Sequence, residues 1–211
     1  MFEQTEHYPI HLALIFLQLK EELELKKNNQ QNLVVIGHAI ISRDCCIADS
    51  NGIMPESLIS NKDWELFQKD LDESDLVILG RNSYEYFHQK KRKRLIPTSK
   101  IRDYYFENSD LCFFNPLDIS LEKIINLYSS YPKKIAVAGG QRVYKLVFDE
   151  FFYTQFYLSI KMNQYMKNGQ PLIDGLSTIQ NIKIYMEERG MQVQEERKLD
   201  SETIQYIYTQ F

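Results

Sequence analysis

Residues 135–144, which read IAVAGGQRVY, decide the fold of this chain. The apolar run predicts a buried strand, the glycine pair a tight corner, and the residues after it a helix. Two adjacent glycines leave the backbone bare of side chains, so that a large ligand can approach it closely. The first N–H groups of a helix lack partners within the helix and suit a phosphate group. The corner is therefore either a phosphate-binding turn or only a structural corner.

A second stretch repeats this arrangement. Residues 75–85 read DLVILGRNSYE, which predicts a strand, a corner at Gly80 and the start of a helix. In the first helical turn, Arg81 could pair with a phosphate as a fork and Ser83 could add a hydroxyl donor. Two such corners in one small α/β domain predict two anchor points for one dinucleotide. Neither corner has the G-x-G-x-x-G or Walker A spacing, so a Rossmann domain or a P-loop is not indicated.

Both stretches resemble segments of the dihydrofolate reductase-like proteins. Residues 75–85 are similar to the family's D-x-V-x-x-G-R-x-(S/T)-Y-E segment, and residues 136–144 to its later G-G-x-x-(V/I)-Y segment. Residues 39–48, AIISRDCCIA, are similar to the family's first strand and the loop after it. Their S-x-D-x-x-I-A form is closer to the reductase domain of the bifunctional riboflavin-biosynthesis deaminase–reductase than to dihydrofolate reductase itself.

The resemblance covers residues 33–211 and implies one reductase domain there. The implied fold is a three-layer α/β fold with a mixed, mostly parallel central sheet, helices on both faces and a C-terminal antiparallel hairpin. The sequence places strands at 33–41, 76–79, 111–114, 135–138, 154–160, 182–188, 192–198 and 203–211. It places helices at 60–71, 81–87, 120–129 and 140–148. A histidine within the first strand, His38, is interpreted as a satisfied core residue rather than a catalytic one.

The activity implied by the resemblance is reduction of a small heterocyclic substrate of pyrimidine type by NADPH. Asp63 matches by position the carboxylate that protonates substrate in dihydrofolate reductase. The residues implied to bind the cofactor are Ala39, Ile47, Gly80, Arg81, Ser83, Thr98, Ser99, Ala138, Gly139, Gly140, Gln141, Val143 and Tyr144. Those implied to bind the substrate are Asp44, Ile59, Ser60, Asp63 and Phe67. The long loop at 42–59 corresponds to one that closes over substrate and nicotinamide in the family.

Asp63 has a second interpretation. Ser60 is the expected N-cap of the helix at 60–71, and Asp63 stands three residues later, as in the Asp form of a capping box. The carboxylate could therefore be a proton donor, a helix cap, or both. Trp64, Phe67 and Leu71 are expected to form the buried face of this helix.

The basic run at 90–94, KKRKR, also has two interpretations. It is either a solvated face or a site for the extra phosphate of NADPH, since it follows the first corner. Thr98 and Ser99 stand where the family uses hydroxyls for that phosphate. Pro97 predicts an irregular or edge-like strand there.

Departures from the family patterns bear on the substrate. Pro55 is followed by Glu56, where dihydrofolate reductases have tryptophan, and Leu58 stands where riboflavin-pathway reductases have tryptophan. Asp44 is followed by two cysteines instead of glycine and a basic residue. No deaminase motif of the H-x-E and P-C-x-x-C kind is present. Three hypotheses remain: a riboflavin-reductase-like enzyme, a divergent dihydrofolate reductase, and a non-catalytic relative that acts as an interaction module.

Composition limits the other classes of function. The 211 residues carry a net charge of −4, which gives a nucleic-acid partner no electrostatic support. The three cysteines are odd in number and lack zinc-binding spacing, so a reduced, cytoplasmic protein without a metal site is expected. The acidic start does not suit a signal peptide, and the apolar run at 10–17 is too short to cross a bilayer. The expected partner is a small molecule, with no nucleic acid and no membrane.

Residues 1–32 lie outside the resemblance and are predicted to form a helix at 9–27 and a polar linker. The apolar positions of this helix follow helical spacing: Leu12, Ile15, Phe16, Leu19 and Leu23. The helix could pack on its own domain, contact a second subunit, or lie on a membrane surface, although its polar residues are not predominantly basic. Because the riboflavin-reductase-like group commonly forms dimers, we predict a homodimer.

Overall fold

The computed structural model of the chain describes residues 32–86, 92–129 and 132–211. The predicted helix at 9–27, most of the linker after it, and Lys90 and Lys91 of the basic run lie outside these residues. The strands are β1 Val34–Ser42, β2 Cys46–Ala48, β3 Leu76–Ile78, β4 Arg94–Pro97, β5 Tyr104–Asn108, β6 Leu111–Phe114, β7 Lys134–Val137, β8 Gln155–Lys161, β9 Gln170–Pro171, β10 Met191–Lys198 and β11 Thr203–Gln210. The α-helices are α1 Asn61–Asp72, α2 Arg81–Tyr86, α3 Leu121–Tyr128, α4 Gln141–Glu150 and α5 Ile179–Glu187.

Nine of the strands form one mixed sheet in the order β10-β11-β8-β1-β7-β3-β4-β6-β5. The pairs in its middle, from β8 through β6, are parallel, whereas β10, β11 and β5 pair antiparallel with their neighbours. β10 and β11 form the predicted C-terminal hairpin. The two remaining strands, β2 and β9, form a small separate sheet. This architecture confirms the predicted fold class.

The middle strands are buried because helices cover them, and their sequences are accordingly almost continuous apolar runs. Val35 and Ile41 of β1 and Ile135 and Ala136 of β7 are fully buried. Since β1, β3, β4 and β7 are parallel, their carboxyl ends meet at one edge of the sheet. Ligands of open α/β sheets bind at such an edge, where the strand order reverses.

One predicted strand is wrong. Residues 182–188 belong to helix α5, whose N-cap Thr178 accepts a hydrogen bond from the Asn181 N–H. A strand would place Ile182, Ile184 and Met186 on one face. Instead Ile182 and Met186, four residues apart, are buried, whereas Ile184 is 42% exposed. The burial therefore follows the helical period, which the β-branched residues of this segment disguise.

The prediction for Pro97 needs a second correction. β4 lies inside the sheet, between β3 and β6, and is not an edge strand. Pro97 is tolerated because it follows the part of β4 that pairs with β3, which ends at Leu95. Its missing N–H therefore costs no ladder bond on that side. The edge strand on this side of the sheet is β5, which the sequence does not predict. All five of its residues are exposed, so its sequence lacks the alternation of a half-buried strand.

Candidate functional site

A cavity of 1060 Å³ lies at the carboxyl edge of the sheet. Its walls come from α1, the starts of α2 and α4, the loop after β4 and the loop at 47–54. All thirteen residues implied for the cofactor line it, although they come from five separate segments of the chain. The parallel order of the sheet explains why residues so distant in sequence share one cavity.

The two glycine corners lie side by side in this cavity. The Gly80 N–H donates to the Gly139 carbonyl at 2.7 Å, and the Ala138 N–H donates to the Ile78 carbonyl at 2.8 Å. These bonds continue the pairing of β3 with β7 into the corners themselves. The structure thus places the two predicted glycine corners next to each other.

The glycines of the second corner differ in what surrounds them. A Cβ atom on Gly140 would meet no atom within 4 Å, so the backbone there borders open space. Gly139 has φ +89°, and a Cβ atom on it would lie 2.5 Å from the Tyr144 hydroxyl oxygen. Gly139 is therefore required by the fold, because side chains rarely adopt that backbone conformation. Gly140 leaves room for a ligand.

Several cations and hydroxyls also line the cavity. They are Arg81, Ser83, Thr98, Ser99, Lys100 and Arg142. Arg81 is partly exposed and forms an ion pair with Glu85 at 3.5 Å. Such a set suits the phosphates of a dinucleotide, since guanidinium forks and hydroxyls both donate to phosphate oxygens.

Arg92, from the basic run, lines the cavity but is already engaged. Its Nε atom donates to Asp72 Oδ1 at 2.8 Å, and its Nη2 atom donates to Gln68 Oε1 at 3.1 Å. Arg94 also lines the cavity and lies over the ring of Tyr84, with 5.2 Å from Cζ to the ring centroid. Because Arg92 and Arg94 already contact other side chains, fewer cations of this run can bind a phosphate than the sequence suggests.

Asp63 lies in the cavity wall and is 9% exposed. Its Oδ1 atom accepts a short hydrogen bond from the Ser159 hydroxyl and one of 3.2 Å from Gln205 Nε2. Arg197 Nε donates to the Gln205 Oε1 atom at 2.9 Å, which fixes the orientation of that amide. The carboxyl group is thus held by β8 and β11.

The geometry bears on the cap interpretation of the Asp63 side chain. Ser60 is the N-cap, since its hydroxyl accepts from the Asp63 N–H at 3.4 Å. The carboxyl group turns to Ser159 and Gln205 and not back to the cap. Burial raises the pKa of Asp63, and the hydrogen bonds from Ser159 and Gln205 oppose that rise only in part. The group is suited to hold a proton nearer neutral pH than an ordinary aspartic acid.

His38 is hydrogen-bonded, as expected of a core histidine, but it also lines the cavity. Its Nε2 atom lies 2.8 Å from Asp70 Oδ2. Its ring stacks on Tyr157 with centroids 4.5 Å apart and packs against Phe67 at 5.5 Å. The carbonyl of His38 accepts a short hydrogen bond from the Tyr144 hydroxyl, which ties β1 to the start of α4.

Two of the five residues implied for substrate, Asp63 and Phe67, line the cavity, and the other three do not. Asp44 accepts hydrogen bonds from the Ser42 hydroxyl at 2.6 Å and from the Met166 N–H at 3.0 Å, so it joins two loops. The Ser60 hydroxyl donates to Asp200 Oδ2 at 2.7 Å. Ile59 is 40% exposed and is not among the residues that line the cavity. The structure gives these side chains other partners or surroundings.

Sequence reasoning missed the residues that hold Asp63. Ser159 and Gln205 are polar residues that the structure buries. Their position within strands that also carry apolar residues is the only signal for them in the sequence. Their meeting with α1 depends on the register of β8 with β11, which pairs Ser159 with Gln205. No spacing rule along the chain contains that information.

No family model matches the sequence, and no curated protein matches it. Solved structures do match. A diaminohydroxyphosphoribosylaminopyrimidine deaminase/5-amino-6-(5-phosphoribosylamino)uracil reductase from Thermotoga maritima is similar over 86% of this chain and 58% of its own, with 15% identity and a TM-score of 0.60. A putative riboflavin biosynthesis protein from a Shewanella species is similar over 85% of this chain and 99% of its own, with 15% identity and a TM-score of 0.57.

A dihydrofolate reductase from Enterococcus faecalis, solved in complex with NADP(H), is similar over 83% of this chain and 95% of its own, with 14% identity and a TM-score of 0.56. The chain has the dihydrofolate reductase-like fold, as the motifs predicted. It spans little more than half the length of the Thermotoga protein. Among the described residues, none of the helices has the length and apolar character needed to cross a bilayer.

Proposed function

We propose that this chain is an NADPH-dependent reductase that transfers hydride to a small nitrogen heterocycle of pyrimidine type. One observation carries the proposal. A buried carboxyl group with a raised pKa, that of Asp63, lies in the same cavity as two adjoining glycine corners lined with cations and hydroxyls. An acid and a dinucleotide cradle in one cavity are what reduction by a nicotinamide requires. The names of the structural neighbours, which include two reductases, support the same class.

The residues present fit the cofactor. The open space at Gly140 admits a dinucleotide backbone, and Arg81, Ser83, Thr98 and Ser99 would hold its phosphates. Ala39, Ile47 and Ala138 add small or apolar surfaces that exclude water from the neighbouring wall. NADPH, when bound, supplies the hydride.

Asp63 supplies the proton. When a C=N or C=O bond gains hydride, the partner atom gains negative charge, which a neighbouring acid must neutralise. Burial keeps the Asp63 carboxyl group protonated to higher pH than usual. Ser159 and Gln205 hold one of its oxygens and orient the group. Trp64 and Phe67 of the same helix line the cavity and give an aromatic ring a surface on which to pack.

NADPH absorbance tests this proposal. The purified chain is mixed with NADPH and either 5-amino-6-(5-phosphoribosylamino)uracil or dihydrofolate, and NADPH affinity is measured separately by calorimetry. We expect NADPH to bind and the uracil compound to be reduced. Turnover of dihydrofolate alone, with tight methotrexate binding, would instead identify a divergent dihydrofolate reductase. Failure to bind NADPH would overturn the proposal and favour the non-catalytic interaction module.

A further inference from the structure

The cavity is also lined by a buried histidine, His38, that the proposed function does not use. It is 6% exposed and lines the cavity, whereas its partner Asp70 does not. The ring is held on three sides: by Asp70 at Nε2, by Tyr157 beneath it, and by Phe67 at a tilt. A histidine fixed this firmly presents its remaining nitrogen, Nδ1, in one orientation.

The network around Asp70 sets the tautomer of the ring. Burial raises the pKa of Asp70, but hydrogen bonds from His38 and Lys134 outweigh this and lower it to about 2. Lys134 Nζ lies 2.8 Å from Asp70 Oδ1 and 3.2 Å from Glu73 Oε2. An ionised carboxylate only accepts hydrogen bonds, so Nε2 of His38 must carry the proton. In the neutral ring, Nδ1 is then an acceptor.

His38 and the Asp63 carboxyl group share one face of the sheet. His38 is the register partner of Tyr157 across β1 and β8, and Ser159 stands two residues further along β8. Residues two apart on a strand project from the same face, about 7 Å from one another. Tyr157 carries the His38 ring, and Ser159 holds Asp63. A six-membered heterocycle with its exocyclic groups can span such a separation.

We propose that His38 Nδ1 accepts a hydrogen bond from an N–H group of the substrate while Asp63 protonates an acceptor on the same molecule. The inference rests on the proposed function and narrows it to heterocycles that present an N–H donor beside a C=O or C=N acceptor, as lactam and ureido rings do. A ring with acceptors only leaves Nδ1 without a partner. Leaving a buried polar group unpaired is how such sites discriminate between analogues.

Binding of 5-amino-6-(5-phosphoribosylamino)uracil to the chain saturated with NADP⁺ tests the inference by calorimetry. His38→Phe keeps the ring stack on Tyr157 and removes both nitrogens. We expect it to bind the uracil compound about 10–100-fold more weakly, the result of one unsatisfied buried donor, and NADP⁺ with unchanged affinity. Glu73→Gln is the matched control, because it alters the outer end of the network without touching His38, and should bind both as the wild type does.

Nitrogen NMR of wild-type protein with labelled histidine gives an independent readout. We expect the Nδ1 resonance of His38 to be that of a hydrogen-bond acceptor and to shift when the uracil compound is added. A protonated Nδ1, or a folded His38→Phe protein with wild-type affinity, would overturn the inference. If the wild type binds NADP⁺ but not the uracil compound, the named substrate class is wrong while the reductase proposal stands. If the wild type binds neither compound, the proposed function fails. The tautomer of His38 seen by NMR then still tests whether Asp70 holds the proton on Nε2.

Discussion

Replacing Asp63 with asparagine tests the proton donor directly. The asparagine carbonyl oxygen can accept the hydrogen bonds that Ser159 and Gln205 now donate to Oδ1, so the local structure is kept. The amide cannot deliver a proton. We expect turnover of NADPH with the heterocyclic substrate to fall by about 10²–10⁴-fold, the usual contribution of a positioned general acid. NADPH affinity, measured on the same protein, should not change.

The pH dependence of stability gives the same substitution a second readout. Because the pKa of Asp63 is raised in the folded state, its contribution to stability is fully present at low pH and is lost as pH rises through that raised pKa. Asp63→Asn has no charge to bury. We therefore expect the free energy of unfolding of the variant, relative to that of the wild type, to increase as pH rises from acid to neutral. Urea denaturation at each pH measures this difference. The wild-type rate should fall over the same pH range, since the acid form is the active one.

A folded asparagine variant with wild-type turnover would refute the reasoning and remove Asp63 from the mechanism. In that case the carboxyl group would serve only to join α1 to β8 and β11, through its hydrogen bonds from Ser159 and Gln205. A rate loss with no pH-dependent change in relative stability would keep the proton donor but contradict the burial argument.

Three further predictions concern the cofactor and the assembly. Arg81→Ala should weaken NADPH binding by about 1–3 kcal/mol, the range for a lost charge-assisted hydrogen bond, and wild-type dissociation constants that are equal for NADPH and NADH would contradict the phosphate role. Gly140→Ala should give a folded protein that no longer binds NADPH, because its methyl group would occupy open cavity space. Gly139→Ala should instead lower the melting temperature. Unchanged NADPH affinity in the Gly140 variant would mean that the corner is purely structural. Light scattering at micromolar concentration should give the mass of a homodimer, and a monomer mass would rule it out.

The glycine corners and the strands before them could be predicted from sequence because their signals are local. The apolar runs before Gly80 and Gly139 each lie within one short segment, and their shortness and the glycine that ends them favour a strand over a buried helix. Parallel strands with helices after them then place both corners at the same edge. The cavity around them follows from that topology.

The remainder of the site depends on pairings that no local pattern records. Ser159 and Gln205 reach Asp63 only because β8 and β11 are in one particular register. The substrate role implied for Asp44 and Ser60 came from matching positions. Each side chain, however, has a partner more than a hundred residues away, Met166 for Asp44 and Asp200 for Ser60. The helix at 179–187 could not be predicted for the same reason. Its β-branched residues favour a strand, and only the packing against the neighbouring core makes the segment a helix.

The hydrogen bonds behind Asp63 run in one direction only. Arg197 donates to Gln205, Gln205 donates to Ser159 and to Asp63, and Ser159 donates to Asp63. Both donors meet at Oδ1, which leaves Oδ2 as the oxygen free to carry the acid proton. The chain starts at a guanidinium and an amide, neither of which gives up a proton near neutral pH, so it delivers no proton to the carboxylate. In the proposed mechanism, the carboxylate left after each turnover therefore takes its next proton from the side of the cavity, which Asp63 lines. Product release and reprotonation of Asp63 then take place through the same cavity, so the order of these two events is part of the proposed catalytic cycle.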